Sequence, residues 1–249
     1  MQGAAIQHGQ PARRADAGQV RLGQRDIAGL LLCGEMYGAP YDLLAVALGV
    51  RGDRVRAVVA RWRNAGWAAT GRLGPGPAWC WLTRSGMAVT GLGFPASRPS
   101  LARLAHIRAV VAVRLSMQDS AVYREGRAWW RCERRIRRAA GWDGRAGHVP
   151  DAETSWPETS PAYAGECWAI EAELTPKPVA RVAGIMAGLL ARTADYGPGA
   201  PAGGEPRYDR VVYLAAPLAR PVVERAAAAL PDRLRGRLVV RDLPPGAVV

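Results

Sequence analysis

The sequence predicts a mixed α and β fold, with a helical first part and a second part in which strands and helices alternate. Two observations predict this class. Apolar residues recur at helical spacing in three segments before residue 66, and strand-like and helix-like patterns alternate from about residue 120 onward. The 249 residues are 49% hydrophobic, which allows a sizeable core. We therefore expect folded domains rather than a disordered chain.

The domain boundary is predicted at residues 95–100, "PASRPS", where two prolines interrupt any helix. We expect a tail over residues 1–20, a first domain over 21–94 and a second over 100–249. The tail has no apolar signal core, and no apolar run approaches the roughly eighteen residues of a membrane helix. These features predict a cytoplasmic protein without membrane contact, and they leave its oligomeric state open.

Positive charge is concentrated in the first 150 residues. Residues 1–98 carry 12 arginines against 5 acidic residues, residues 99–150 carry 11 against 4, and residues 151–249 carry 11 cations against 12 acidic residues. Codon bias toward arginine would spread the charge evenly, whereas this gradient indicates a surface for a polyanion. The four cysteines are dozens of residues apart and the chain has three histidines, so the sequence suggests no zinc site or disulfide framework.

The first domain reads as three helices and a hairpin, an order typical of a winged helix-turn-helix. The helices are predicted over 24–36, 41–48 and 53–65, and "GPGP" joins two strand-like runs. The third helix places small residues opposite its apolar face, with arginines on both shoulders, which suits close approach to double-stranded DNA. The candidate DNA contacts are Arg51, Arg54, Arg56, Arg61, Arg63 and Arg72. The alternative is a small packing unit used for dimerisation.

The second domain is predicted to be α/β with a mixed sheet. A long helix begins near residue 101, and we expect its Arg108 to have a buried partner or to snorkel, and its His106 to be structural rather than catalytic. The predicted strands are 120–126, 148–153, 167–175, 208–216 and 237–243, and the predicted helices are 129–140, 179–194 and 221–230.

Acidic residues mark two of these strands. Asp151 and Glu171 are the predicted ligand pair for Mg²⁺, with Mn²⁺ as a substitute, because hard cations prefer oxygen ligands. Side chains alternate along a strand, so Glu171 and Glu173 should share one face. Glu133 is a candidate for a further carboxylate at the site. Lys177 is a candidate to neutralise charge at the phosphate or to position a water. The alternative is a strand with ordinary surface acids.

The "PD" at 150–151 and "EAE" at 171–173 resemble the PD-(D/E)XK nuclease superfamily, in which Asp is followed on the next strand by Glu or Asp, any residue and Lys. This resemblance implies a restriction-endonuclease-like domain in which Asp151 and Glu171 bind the metal. Glu173 occupies the position of the expected lysine, and Lys177 lies beyond Pro176. We favour Glu173 over Lys177 as the group that organises the attacking water.

A second resemblance covers about 155 residues. The predicted winged helix, "LTRSG", "LAHIRAVVAVRL", "WWRCERRIRR", "GHVPD" and "AIEAELTPK" are together similar to the replication-relaxation family of actinobacteria and their plasmids. The resemblance implies DNA binding linked to plasmid replication, relaxation or mobilisation, with a replication or conjugative relaxation complex as a partner.

Three functions remain at this point. The first is a DNA-binding, metal-dependent endonuclease. The second is a non-enzymatic accessory or regulatory factor with a degenerate nuclease fold. A transcription factor with an α/β sensor domain ranks last, because no Gly-rich phosphate loop is present.

Overall fold

The computed structural model describes residues 22–139, 148–192 and 207–248. The predicted tail and the last residues of the helix predicted over 179–194 lie outside these ranges. The described chain is a mixed α and β fold with a three-stranded sheet and a five-stranded sheet. This confirms the predicted class.

The first part of the chain has three helices and a hairpin, as predicted, plus a short first strand and a fourth helix. Its elements are α1 (Gln24–Glu35), β1 (Ala39–Pro40), α2 (Tyr41–Leu48), α3 (Gly52–Asn64), β2 (Ala68–Gly71), β3 (Trp79–Leu82) and α4 (Arg84–Thr90). The strands pair antiparallel in the order β1-β3-β2. The small sheet therefore closes one side of the helical layer.

α3 packs through one narrow apolar stripe. Val55, Val59 and Trp62 are buried, at the helical spacing the sequence predicts. The opposite side is exposed over most of its length. The apolar stripe fixes α3 against α1 and α2, so its arginine-rich side is left facing solvent.

α4 was not predicted, and its start is stabilised by two hydrogen bonds of the Thr83 hydroxyl. The Thr83 hydroxyl donates to the Gly66 carbonyl at 2.6 Å and accepts from the Gly86 N–H at 3.1 Å, which caps the helix. A Cβ on Gly86 would lie 1.9 Å from the Trp67 carbonyl oxygen. Only glycine fits at this crossing of α4 and the chain that enters β2.

The second part of the chain contains the five-stranded sheet and the remaining helices. Its elements are α5 (Leu104–Asp119), α6 (Ala121–Glu125), β4 (Trp129–Cys132), α7 (Glu133–Ala139), β5 (Ala152–Ser155), β6 (Cys167–Glu173), α8 (Val179–Leu190), β7 (Arg210–Ala215), α9 (Arg220–Ala228), α10 (Asp232–Arg235) and β8 (Leu238–Asp242). The strand order is β4-β5-β6-β7-β8. The first three strands are antiparallel and the last three are parallel, so the sheet is mixed, as predicted.

Two predicted elements are wrong. Residues 120–126 contain α6 rather than a strand, because the Ser120 hydroxyl caps the Tyr123 N–H and starts a helix. The helix predicted over 129–140 is divided into β4 and α7. Pairing of Trp129–Cys132 with β5 takes these four residues into the sheet, and the helix begins only at Glu133.

The five-stranded sheet is covered on both faces. Ile170, Ala172 and Val212 belong to a core that continues into α5 and the first part of the chain. The other face packs on α8 and α9 through residues such as Tyr213 and Val223. Arg108, predicted to have a buried partner or to snorkel, donates both terminal nitrogens to the carboxylate of Asp42 on α2, whose side chain is 44% exposed. The two predicted domains therefore share one apolar core and are joined by this partly exposed ion pair.

Candidate functional site

The acidic residues of β6 are buried. Glu171 and Glu173 alternate with Ile170 and Ala172, so both carboxylates lie on one face of the strand, as predicted. This face also carries Tyr213, which pairs with Glu171. Their exposed fractions are 7% and 6%. Surface acids do not have this burial, and the surface-acid alternative for the strand is therefore wrong.

The strand predicted over 148–153 begins only at Ala152, so Asp151 stands immediately before β5 rather than within the strand. Because Ala152 pairs with Ile170, the next position brings Asp151 opposite Glu171. The Asp151 Oδ2 atom accepts the Ala172 N–H at 2.9 Å, which fixes the carboxylate at the strand end. The two predicted metal ligands are therefore neighbours across adjacent chain segments.

Burial, and then the negative charge of Asp151, raise the pKa of Glu171 to about 7. A hydrogen bond from His148 acts in the opposite direction without cancelling these two effects. A buried carboxyl group whose pKa is raised by a neighbouring carboxylate is typical of functional sites as well as of structural ion networks.

Two histidines contact the carboxylates; the sequence predicted His106 only as a structural residue and did not single out His148. His106 Nε2 lies 2.8 Å from Asp151 Oδ1, and His148 Nε2 lies 2.8 Å from Glu171 Oε1. Burial lowers the pKa of each imidazole, but the hydrogen bond to the carboxylate and its negative charge raise the pKa further than burial lowers it. His148 stands three residues before Asp151, and this spacing was the available signal. His106 comes from α5, and no local pattern pointed to it.

Lys177 returns to the site despite Pro176. Its Nζ atom lies 2.7 Å from Glu173 Oε2, while the Glu173 side chain is 8% exposed and that of Lys177 is 37% exposed. The lysine is therefore bound to Glu173 and lies beside the two acidic positions of β6.

Glu133 begins α7 and lies near Asp151, but both of its oxygens are engaged. Oε2 accepts from Arg103 at 2.9 Å and Oε1 accepts from Arg137 at 2.9 Å. Glu133, Asp151 and His106 line a cavity of about 20 Å³, which has room for about one water molecule. Glu133 is thus a neighbour of the site with a compensated charge.

Glu153, two residues after Asp151, is a buried carboxylate with a different environment. Its Oε2 atom accepts from Arg131 at 3.0 Å, and Oε1 accepts from Arg207 and from the Tyr208 hydroxyl, each at 2.7 Å. Burial, the Glu153 charge and its hydrogen bond all raise the pKa of Tyr208. Because Arg131 and Arg207 compensate its charge, we assign Glu153 to a structural ion-pair network within the sheet.

The donor chemistry of Asp151 and Glu171 fits Mg²⁺. This ion binds proteins through one or two carboxylates and keeps several waters, and a divalent cation would relieve the repulsion between the two groups. Within the described ranges, no group of three or more His, Cys, Asp and Glu side chains is arranged to hold a metal. The two carboxylates would therefore be the main protein ligands.

The candidate DNA-contacting arginines differ in their present contacts. Arg61 binds the Asp26 carboxylate on α1, and Arg51 binds Asp53 at 3.3 Å. For the other four, no hydrogen bond or ion pair joins the side chain to a described residue. These four are Arg54, Arg56, Arg63 and Arg72, and all are exposed.

Comparison with family models, with curated proteins and with solved structures finds no significant match to this chain. None of the helices in the described ranges has the length and apolar character needed to cross a membrane. The site geometry and the charge distribution are therefore the basis for a functional proposal.

Proposed function

We propose that the chain is a DNA-binding protein of plasmid replication, relaxation or mobilisation whose second part is a metal-dependent phosphodiesterase. The observation that carries the proposal is that the partly buried Asp151, whose side chain is 12% exposed, lies opposite the buried Glu171 on an adjacent segment of the sheet. Two neighbouring carboxylates with little access to water and no arginine bound to them among the described residues are costly to keep in a fold, and a bound metal ion would offset their repulsion. The contrast with the arginine-paired Glu153 supports this reading.

The residues around the pair have separate roles in this proposal. Asp151 and Glu171 would hold Mg²⁺ or Mn²⁺, and the bound ion would lower the pKa of a water and neutralise charge on the phosphate. His106 and His148 each bind one carboxylate oxygen and so fix its orientation. Glu173 lies on the same face as Glu171 and is the candidate base, while Lys177 balances its charge.

The first part of the chain supports DNA binding in two ways. Helix, strand, two helices and a two-stranded hairpin follow one another in the order typical of a winged helix-turn-helix. The exposed side of α3 carries Arg54, Arg56 and Arg63, whose guanidinium groups have no acidic partner among the described residues. Guanidinium groups of this kind are suited to phosphate oxygens and guanine edges.

A specific observation favours a second candidate, the non-enzymatic accessory factor. Glu173 is bound by Lys177, both Glu133 oxygens are bound by arginines, and both Asp151 oxygens accept hydrogen bonds. A site whose carboxylates are satisfied by protein groups can serve as a stable scaffold for DNA or a partner protein.

Cleavage of supercoiled plasmid with Mg²⁺ or Mn²⁺ tests the proposal. We expect nicked or linear product from the parent protein and none from Asp151→Asn. Asp232→Asn is the matched control, because Asp232 is highly exposed on α10 and pairs only with Arg235 among the described residues. If the parent protein binds duplex DNA and the metal but cleaves nothing, the accessory function is correct. If Asp151→Asn cleaves as the parent does, the assigned site is wrong.

A further inference from the structure

Arg103 is a partly exposed cation beside the carboxylate pair, and the proposed function gives it no role. It stands in the short 3-10 turn directly before α5, and its side chain is 42% exposed. Arg103, His106 and Asp151 line the same cavity of about 20 Å³. In the described part of the chain, the Asp151 carboxylate contacts His106 and the Ala172 N–H but not Arg103. The guanidinium group therefore borders the site without forming an ion pair with Asp151.

Two contacts fix the orientation of Arg103. One of its terminal nitrogens donates to Glu133 Oε2 at 2.9 Å, and its guanidinium carbon lies 5.5 Å from the centre of the Tyr37 ring. Glu133 is shared with Arg137, which donates to its other oxygen at 2.9 Å. A guanidinium group has five N–H donors, and within the described ranges Arg103 uses one of them in a hydrogen bond. Most of its donors are therefore left for a ligand.

Tyr37, on which Arg103 rests, has an unusual backbone. Its φ is +65°, in the left-handed region that residues other than glycine seldom adopt. Residues held in this region cluster at functional sites. The ring of Tyr37 also lies 4.5 Å from the guanidinium carbon of the buried Arg134, which donates to the carbonyl oxygens of Gly34 and Pro95, each at 2.7 Å. Tyr37 is therefore a firmly held support for Arg103.

We propose that Arg103 binds a non-bridging oxygen of a phosphodiester whose phosphorus lies at the Asp151–Glu171 pair. This inference rests on the proposed function and adds a substrate contact to it. Carboxylates repel an anionic diester, so a cation beside them is needed to hold the phosphate close. Lys177 is bound to Glu173, whereas Arg103 borders the site of Asp151 itself. A planar guanidinium group matches two phosphate oxygens, which a lysine ammonium group does not.

The contact has a defined role in hydrolysis. A bond forms from a water oxygen to phosphorus, and one phosphorus–oxygen ester bond breaks. Glu173, the candidate base, takes the proton that the water loses, and the leaving oxygen takes a proton from solvent. Negative charge is spread over the non-bridging oxygens in the transition state. A guanidinium group that is already oriented stabilises this charge without having to reorganise.

Hydrolysis of bis(4-nitrophenyl) phosphate with Mn²⁺ tests the contact, because this diester has no duplex for α3 to bind. Arg103→Gln removes the charge and keeps an amide donor for Glu133. It should lower kcat/KM by about 100-fold, while the affinity for Mn²⁺, measured by isothermal titration calorimetry, is unchanged. Arg103→Lys keeps a charge without the planar fork and should lie between the parent and Arg103→Gln. Arg124→Gln removes an exposed arginine that pairs with Asp119, and it should act as the parent does.

Circular dichroism and thermal unfolding first show that each variant is folded, and the same variants are compared on supercoiled plasmid. If Arg103→Gln does not fold, Arg103→Lys decides: a lower kcat/KM than that of the parent supports the contact, and an equal one overturns it. Equal hydrolysis by the parent and Arg103→Gln overturns the contact and leaves the proposed function standing. Loss of Mn²⁺ affinity in proportion to the loss of hydrolysis also overturns it, because Arg103 would then act through the metal ligands.

Binding of a short DNA duplex in Ca²⁺ decides the case in which the parent hydrolyses neither substrate. Arg103→Gln should then reduce the slope of log affinity against log salt by about 1, as expected for one lost phosphate contact, and Arg124→Gln should leave it unchanged. With this result the phosphodiesterase proposal fails and the phosphate contact stands. An unchanged slope, or no DNA binding by the parent, overturns the contact as well.

Discussion

The carboxylate of Asp26 on α1 accepts the indole N–H of Trp62 on α3 at 2.9 Å. The same carboxylate binds Arg61 and caps the start of α1 through the Gly23 N–H. Trp62 is fully buried, so its indole nitrogen has no access to water. One acidic side chain therefore fixes the proposed DNA-reading helix, α3, to α1.

Asp26→Ala should lower the free energy of unfolding by about 1–3 kcal/mol, because a buried donor loses its acceptor. Asp26→Asn keeps an acceptor oxygen and should cost less. Urea unfolding followed by tryptophan fluorescence measures both. Equal stability of the parent and Asp26→Ala would show that the indole hydrogen bond makes no net contribution.

Asp26 should also make stability depend on pH. Burial raises its pKa, but the hydrogen bonds from Trp62, Gly23 and Arg61 outweigh burial and hold the pKa below its usual value of 3.8. A carboxyl group with a lowered pKa contributes stability above its unfolded-state pKa and loses it as the pH falls through the folded-state value. The stability difference between the parent and Asp26→Asn should therefore be constant near neutral pH and shrink below about pH 4. A difference that is constant down to pH 2 would contradict this.

The double variant Arg56→Ala, Arg63→Ala should weaken DNA binding and reduce the slope of log affinity against log salt by about 2, because about one counterion is released per phosphate contact. Arg61 is left intact, since its loss would also break the Asp26 pair. Arg225→Ala, Arg233→Ala removes the same charge from exposed positions of α9 and α10. Fluorescence anisotropy across a salt series measures both variants, and equal slopes would exclude α3 as the reader.

Glu173→Gln and Lys177→Ala should rank in opposite order in a stability assay and in a cleavage assay. Lys177→Ala leaves a buried carboxylate without its partner, whereas Glu173→Gln leaves a lysine that is already partly solvated. We expect Lys177→Ala to cost about 1–3 kcal/mol of stability and Glu173→Gln to cost less. If Glu173 is the base, Glu173→Gln abolishes cleavage while Mg²⁺ and DNA binding persist, and Lys177→Ala retains more activity. If Lys177→Ala loses more than Glu173→Gln in both stability and cleavage, Glu173 has a structural role only.

Two glycine substitutions test the packing of α4. Gly86→Ala places a Cβ against the Trp67 carbonyl, and overpacking of this kind costs about 1–3 kcal/mol. Gly184→Ala on α8 meets no atom within 4 Å and should stabilise the protein by about 0.5–1 kcal/mol, because alanine favours the helix. Thermal unfolding of the two variants should shift in opposite directions.

Much of the fold could be predicted from local sequence patterns. The spacing of Val55, Val59 and Trp62 gave α3 and its buried side, and the alternation along β6 gave the common face of Glu171 and Glu173. Periods of 3.6 and 2 residues arise from backbone geometry, so they can be read from neighbouring residues alone. The helix predicted to start at residue 129 was wrong over 129–132, because these residues pair with β5, which is distant in sequence and leaves no local pattern.

The sequence by itself determined which residue types the candidate site contains and that Asp151 and Glu171 come from adjacent segments. Only the tertiary structure decided that His106, 45 positions before Asp151, contacts its carboxylate, and that Lys177 turns back past Pro176 to Glu173. It also decided that Glu133 is neutralised by Arg103, 30 residues away. Contacts of this kind depend on how helices and loops pack against the sheet, and packing is set by the whole core rather than by any local period.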